Sequence, residues 1–94
     1  MDDYTRLKGV YHDIEVYRDS KGKLLRIKWG EIDFRTLDEI NKKQEDLHKQ
    51  LMLVSKSIEG SKNPSVLAIL ADEAKILRDQ LSDVRQVKHV FSKA

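Results

Sequence analysis

The sequence predicts an α+β domain: an N-terminal two-stranded antiparallel β-hairpin over residues 9–34, then a long antiparallel two-helix hairpin, coiled-coil-like, over 36–59 and 64–92. Three observations predict it. From Thr36 onward apolar residues recur in steps of three and four, the spacing of one helix face. Between Gly9 and Ile32 the period is two on either side of a polar break, as in a half-buried strand pair. A Gly60-Ser61-Lys62-Asn63-Pro64 run divides the helical part into two seams.

Residues 1–8 carry little pattern, and Tyr4 and Leu7 could dock a short turn or an extra strand on the body. In the first predicted strand Val10, His12, Ile14 and Val16 share one parity, and Tyr11, Asp13, Glu15 and Tyr17 the other. Asp19-Ser20-Lys21-Gly22 breaks the pattern, with Gly22 suited to the left-handed position of a hairpin loop. A second strand is predicted from Lys23 to about Ile32. Pairing Arg18 with Lys23 sets Val16 opposite Leu25, Ile14 opposite Ile27 and His12 opposite Trp29, with Glu15–Arg26 and Asp13–Lys28 charge pairs on the other face. A lone hairpin is marginal in water, so its apolar face must lie on the helices or on another chain.

Thr36 and Glu39 match a capping box, so helix one begins there. Its seam is Leu37, Ile40, Gln44, Leu47, Leu51, Val54 and Ile58, and it stops at Gly60, read as a C-terminal glycine. Asn63 caps helix two and Pro64 occupies its first turn, where a missing N–H costs nothing. Its seam is Leu67, Leu70, Ala74, Leu77, Leu81, Val84, Lys88 and Phe91. Antiparallel pairing carries Phe91 toward the base of the β-hairpin. A helix of this length is about 43 Å long, so the molecule is expected to be elongated. Gln44 and Lys88, polar on apolar seams, are expected to snorkel to the edge.

One seam cannot bury Val66, Ile69, Ile76, Val87, Val90, Met52 and Leu53 as well. The hairpin's apolar face is available to cover the Val87/Val90 end. Met52, Leu53, Ile69 and Ile76 form a second stripe that meets a partner, most simply another copy of the chain.

At 94 residues and with no cysteine, the chain is a single domain with a small core and no disulfide or Cys-based metal framework. Eighteen Lys and Arg against 16 Asp and Glu give a net charge of +2, which supplies no electrostatic drive toward nucleic acid or an anionic membrane. No apolar run reaches the roughly 20 residues of a membrane span, and Met1-Asp2-Asp3 does not open a secretion signal. A cytoplasmic location is expected.

The residues offer little chemistry. His12, His48 and His89 sit on different elements without metal-site spacing, and the four glycines are scattered rather than clustered around a phosphate. No enzyme activity, cofactor or metal is expected. The best candidate ligand surface is the polar face of the hairpin, with Tyr11, Tyr17, Arg26 and Lys28, where aromatics and cations suit a nucleotide or nucleic acid. Asp13 and Glu15 are placed to neutralise its cations, giving a salt-bridge ladder instead. The expectation is a small non-enzymatic interaction module, an adaptor, assembly factor or inhibitor, forming a homo-oligomer through its helical hairpin and meeting a protein partner. The alternative is an oligomer that binds an anionic ligand on the hairpin face.

Overall fold

The computed structural model of the chain describes residues 3–93. Met1, Asp2 and Ala94 lie outside the described residues, and with them the reading of the acidic start. Four strands precede two helices: β1 (Asp3–Leu7), β2 (Ile14–Arg18), β3 (Leu24–Trp29), β4 (Ile32–Phe34), α1 (Leu37–Gly60) and α2 (Pro64–Ser92). The sheet is an antiparallel meander in the order β1-β2-β3-β4. The predicted two-stranded hairpin is therefore only its middle pair.

Both added strands have identifiable origins. β1 is an edge strand of mixed polarity, fully paired with β2 from Asp3↔Arg18 to Leu7↔Ile14. β4 arises because the second predicted strand is not continuous. Gly30 takes a φ of +60° and, with Glu31, turns the chain between Trp29 and Ile32. That conformation suits glycine at the first position of a two-residue hairpin turn.

The register differs from the predicted one by two residues: Ile14 faces Trp29, Val16 faces Ile27 and Glu15 faces Lys28. A shift of two preserves parity, so Ile14, Val16, Ile27 and Trp29 still share the buried face. The cause is the turn. The Asp19 carboxylate accepts from the Lys21 and Lys23 amides, both at 2.9 Å, and Gly22 adopts a φ of +84°. Tyr17 then pairs with Arg26 and Arg18 with Leu24, leaving Leu25 as the extra residue of a bulge. Leu24 packs toward the core, while Leu25, predicted inward, is exposed.

The helices follow the seams closely. Thr36 and Glu39 form the reciprocal capping box, with the Glu39 amide donating to Thr36 Oγ1 at 3.2 Å and the Thr36 amide to Glu39 Oε1 at 3.0 Å. Asn63 Oδ1 accepts from the Ser65 amide at 2.9 Å, with Pro64 first in α2. Gly60 departs from its predicted role: it is the last helical residue, without positive φ, and Ser61 is the cap. Ile40, Leu47, Val54, Ala74, Leu77, Leu81 and Val84 are buried along the seam, Gln44 and Lys88 are half-buried at its edge, and Leu37 is exposed.

The inner sheet face joins that seam at one end only. Ile14, Val16, Ile27, Trp29 and Phe34 form one core with Ile40, Val84 and Val87, flanked by Val90 and Phe91. Leu24 adjoins Phe91, and Trp29 bonds to Asp83, so β3 runs antiparallel to α2 and the Gly30-Glu31 turn points along the helices away from their sheet-covered end. The Val87/Val90 end is thus covered by the sheet, whereas the other half of the helical hairpin extends past it. The molecule measures 56 × 22 × 18 Å.

Candidate functional site

Three surfaces bear on function. The first is the outer sheet face. Its register sets Arg6, Glu15, Lys28 and Asp33 in one row across four strands, alternating in sign. The neighbouring row is Tyr4, Tyr17 and Arg26. Arg26 stacks over the Tyr17 ring at 4.5 Å and pairs with Asp33 at 3.2 Å. Glu15 accepts from both the Tyr4 and Tyr17 hydroxyls, at 3.0 and 3.3 Å. Partial desolvation, and then this carboxylate, push the Tyr4 phenol above its ordinary pKa. Arg6 pairs with Asp13.

Of the predicted ligand residues, Tyr17, Arg26 and Lys28 share this face and Tyr11 does not. Tyr11 lies in the loop before β2, its ring edge-on to His12 with centroids 4.4 Å apart. The predicted charge partners are exchanged by the register: Glu15 faces Lys28, Arg26 takes Asp33 from β4, and Asp13 takes Arg6.

The second surface lies on the helices. Met52, Leu53, Ile69 and Ile76 are 60, 65, 66 and 43% exposed. Ile76 and Ile69 stand seven and fourteen residues before Asp83, hence on nearly the same face of α2. At Asp83 that face is turned to the sheet, so the two isoleucines continue it beyond the sheet's end. On α1, Lys43 lines a cleft against Trp29 and thus marks the sheet side. Leu53, ten residues on, falls within about 80° of it, while Met52, nine residues on, falls about 180° away. The structure therefore gathers Leu53, Ile69 and Ile76 on one side and leaves Met52 on the other.

The third surface was not singled out in the sequence, and it centres on Asp83. This carboxylate is 1% exposed in α2 and holds four donors. Oδ1 accepts from the Val10 amide at 2.6 Å; Oδ2 accepts from the amides of Tyr11 and His12 at 2.8 and 3.0 Å and from Trp29 Nε1 at 3.0 Å. Burial by itself raises the pKa of a carboxyl, but here the His12 amide, the Trp29 indole and the Val10 and Tyr11 amides outweigh it and hold Asp83 below its ordinary value of 3.8. The chain approaches so closely that a β-carbon at Gly9 would overlap the His12 carbonyl oxygen, and one at Gly30 would come within 2.7 Å of the His12 ring. Residues 10–12, predicted as strand, are instead a loop wrapped on this carboxylate. A legible signal existed: Asp83 continues the seven-residue spacing of Ile69 and Ile76 and precedes Val90 by seven, an acid in an apolar stripe.

The loop holds His12 at the edge of a cleft of about 310 Å³, lined by His12, Trp29, Gly30, Glu31, Ile32, Lys43 and Gln80. His12 packs edge-on to Trp29 with centroids 5.4 Å apart. The side chains of His12, Glu31, Lys43 and Gln80 make no hydrogen bond or ion pair among the described residues, whereas Arg6 and Arg26 on the outer face are each ion-paired. Among the described residues no group of three or more His, Asp or Glu side chains is arranged to hold a metal ion, and no helix is long and apolar enough to cross a membrane. No protein-family model, curated protein or solved structure matches the chain.

Proposed function

We propose that this chain is a small non-enzymatic protein-interaction module that self-associates through its helical hairpin. One observation carries the reading: the sheet-facing stripe of α2 continues past the end of the sheet as exposed Ile76 and Ile69, joined by Leu53 of α1. Water-facing branched aliphatics in heptad spacing on a face already used for packing mark a surface shaped for another apolar face. Met52 contributes at most to a separate contact, because it points the opposite way.

On the sheet's outer face, where the alternative would place an anionic ligand, carboxylates stand beside the cations. Lys28 stands between Glu15 and Asp33, and Arg26 and Arg6 are each paired with a carboxylate. A nucleotide phosphate would have to displace these partners.

Sedimentation velocity and native mass spectrometry at 1–100 µM, an order-of-magnitude range for modest affinities, test the reading on the wild type and on Ile69→Asp/Ile76→Asp. Both residues are exposed, so the double variant keeps its fold by circular dichroism. The expected result is a wild-type oligomer that becomes monomeric. A monomeric wild type, or an oligomer indifferent to both changes, rejects the proposed surface.

A further inference from the structure

We infer that the stripe's occupant is a second copy running antiparallel about a two-fold axis, with the Ser61–Asn63 turn of each protomer seated in the other's cleft beside Glu31 and Lys43. This rests on the self-association proposed above and specifies its geometry and the site the partner completes.

Length supplies the first argument. The midpoint between Ile69 and Ile76 lies about 13 Å from Pro64, where α2 begins, and about 11 Å from Gln80, where the cleft begins, at 1.5 Å per residue. The stripe is centred on the uncovered part of α2. A two-fold axis through that midpoint lays Ile69 against the partner's Ile76 and brings each helical tip to the other's cleft. The thickness agrees as well. Sheets and helices each pack at about 10 Å from the layer beneath, so a copied helical hairpin lies flush beside the sheet and fills the step at the Gly30-Glu31 turn.

Charge supplies the second argument. α1 has no basic residue in its last turn and α2 no acidic residue in its first. The tip therefore sets a negative helix end beside a positive one, neither offset by an oppositely charged side chain in its own terminal turn. Among the described residues the cleft's Lys43 and Glu31 have no ion-pair partner. An axis perpendicular to the helices sets α1 against α1, which directs Lys43 at the carbonyl end of the partner's α1. Glu31 then receives the partner's Lys62 and the amide end of its α2. One feature opposes association: Glu73 sits between Ile69 and Ile76 on the same side of α2, so near the axis it faces its own copy.

The chain has no cysteine, which allows a direct test. Within a protomer, Glu31 lies beside Gln80 and Lys62 just before Pro64, about 24 Å apart along α2, far outside the roughly 7 Å limit between Cα atoms for a disulfide. In Glu31→Cys/Lys62→Cys, mild oxidation is expected to give a covalent dimer on non-reducing gels and by intact mass. Adding Ile69→Asp/Ile76→Asp should abolish it. Glu73→Gln is expected to lower the dimer Kd by about threefold, since like charges brought together cost a few tenths of a kcal/mol or more. Absence of cross-linking, or an unchanged or raised Kd for Glu73→Gln, overturns the antiparallel arrangement. If the wild type still dimerises and the isoleucine variant does not, the stripe is an interface and only its geometry is wrong. A monomeric wild type removes both readings.

Discussion

Asp83 is an acid with 1% exposure in a small core, and its environment explains why it stays charged. Desolvating a carboxylate costs several kcal/mol unless hydrogen bonds replace its water. Here three consecutive backbone amides and an indole supply four, and no fully buried side-chain polar atom among the described residues lacks a partner. The bonds run between distant parts of the chain: residues 10–12, β3 and α2. Asp83 is therefore the polar joint that fixes the sheet on the helices, and it sets where His12 and Trp29 sit. Asp83→Asn can keep the three bonds to Oδ2 but turns an amide donor toward the Val10 N–H, with an expected loss of about 1–3 kcal/mol. Asp83→Ala strands all four donors and should cost about 3–5 kcal/mol. Urea titrations check both. The folded pKa is lowered, so the carboxylate's contribution is complete above the ordinary aspartate value of 3.8 and is lost as pH falls through the lower folded value. The gap between wild type and Asp83→Asn should be constant at neutral pH and narrow below about pH 4.

Among the elements, the helical hairpin was legible almost to the residue. Its seam recurs over many turns, and its caps at Thr36 and Asn63 are local chemistry that tertiary contacts need not assist. The sheet was legible only at its middle. β4 has three residues, too few to show a period. The alternation runs unbroken through Trp29, and only Glu31 on the apolar parity and Ile32 on the polar one mark the turn at Gly30. β1 borrows its conformation from β2, since its alternation of Thr5 and Leu7 is too weak to stand alone. The loop at 10–12 obeys strand parity in sequence, and what overrides it is Asp83, more than 70 residues away. Two glycines test these corrected assignments with opposite signs. Gly30 has positive φ and no room for a β-carbon beside His12, so Gly30→Ala should destabilise by about 1–3 kcal/mol. Gly60 is helical, with open space at its β-carbon position, so Gly60→Ala should stabilise by up to about 1 kcal/mol. Had Gly60 been the left-handed terminator predicted from sequence, the second change would destabilise instead. Thermal melts of the two variants decide it.

On the scale of the whole molecule, one core serves an elongated body. The radius of gyration is 16.2 Å, against about 12 Å for a compact domain of this length. Sheet and both helices share the core at the end holding Ile40, Val84 and Val87, where these three are fully buried. Toward the tip only a single helix–helix seam remains, and of its residues Ile58, Leu67 and Leu70 are half-buried. Stability should therefore fall along the long axis, because local opening costs less where less apolar surface is hidden. Amide hydrogen exchange on dilute protein is expected to show the highest protection in β2, β3 and the α2 segment around Asp83. Protection should decline through α1 beyond Leu51 and through α2 before Ala74. Self-association through Leu53, Ile69 and Ile76 would cover that weak half, so raising the concentration should increase protection there and leave the sheet-covered end nearly unchanged. A uniform rise would place the contact elsewhere, since covering the sheet-bearing end stabilises the cooperative core and slows exchange everywhere. A protected tip in the dilute monomer would mean that the seam alone suffices, and the exposed isoleucines would then need no partner for stability.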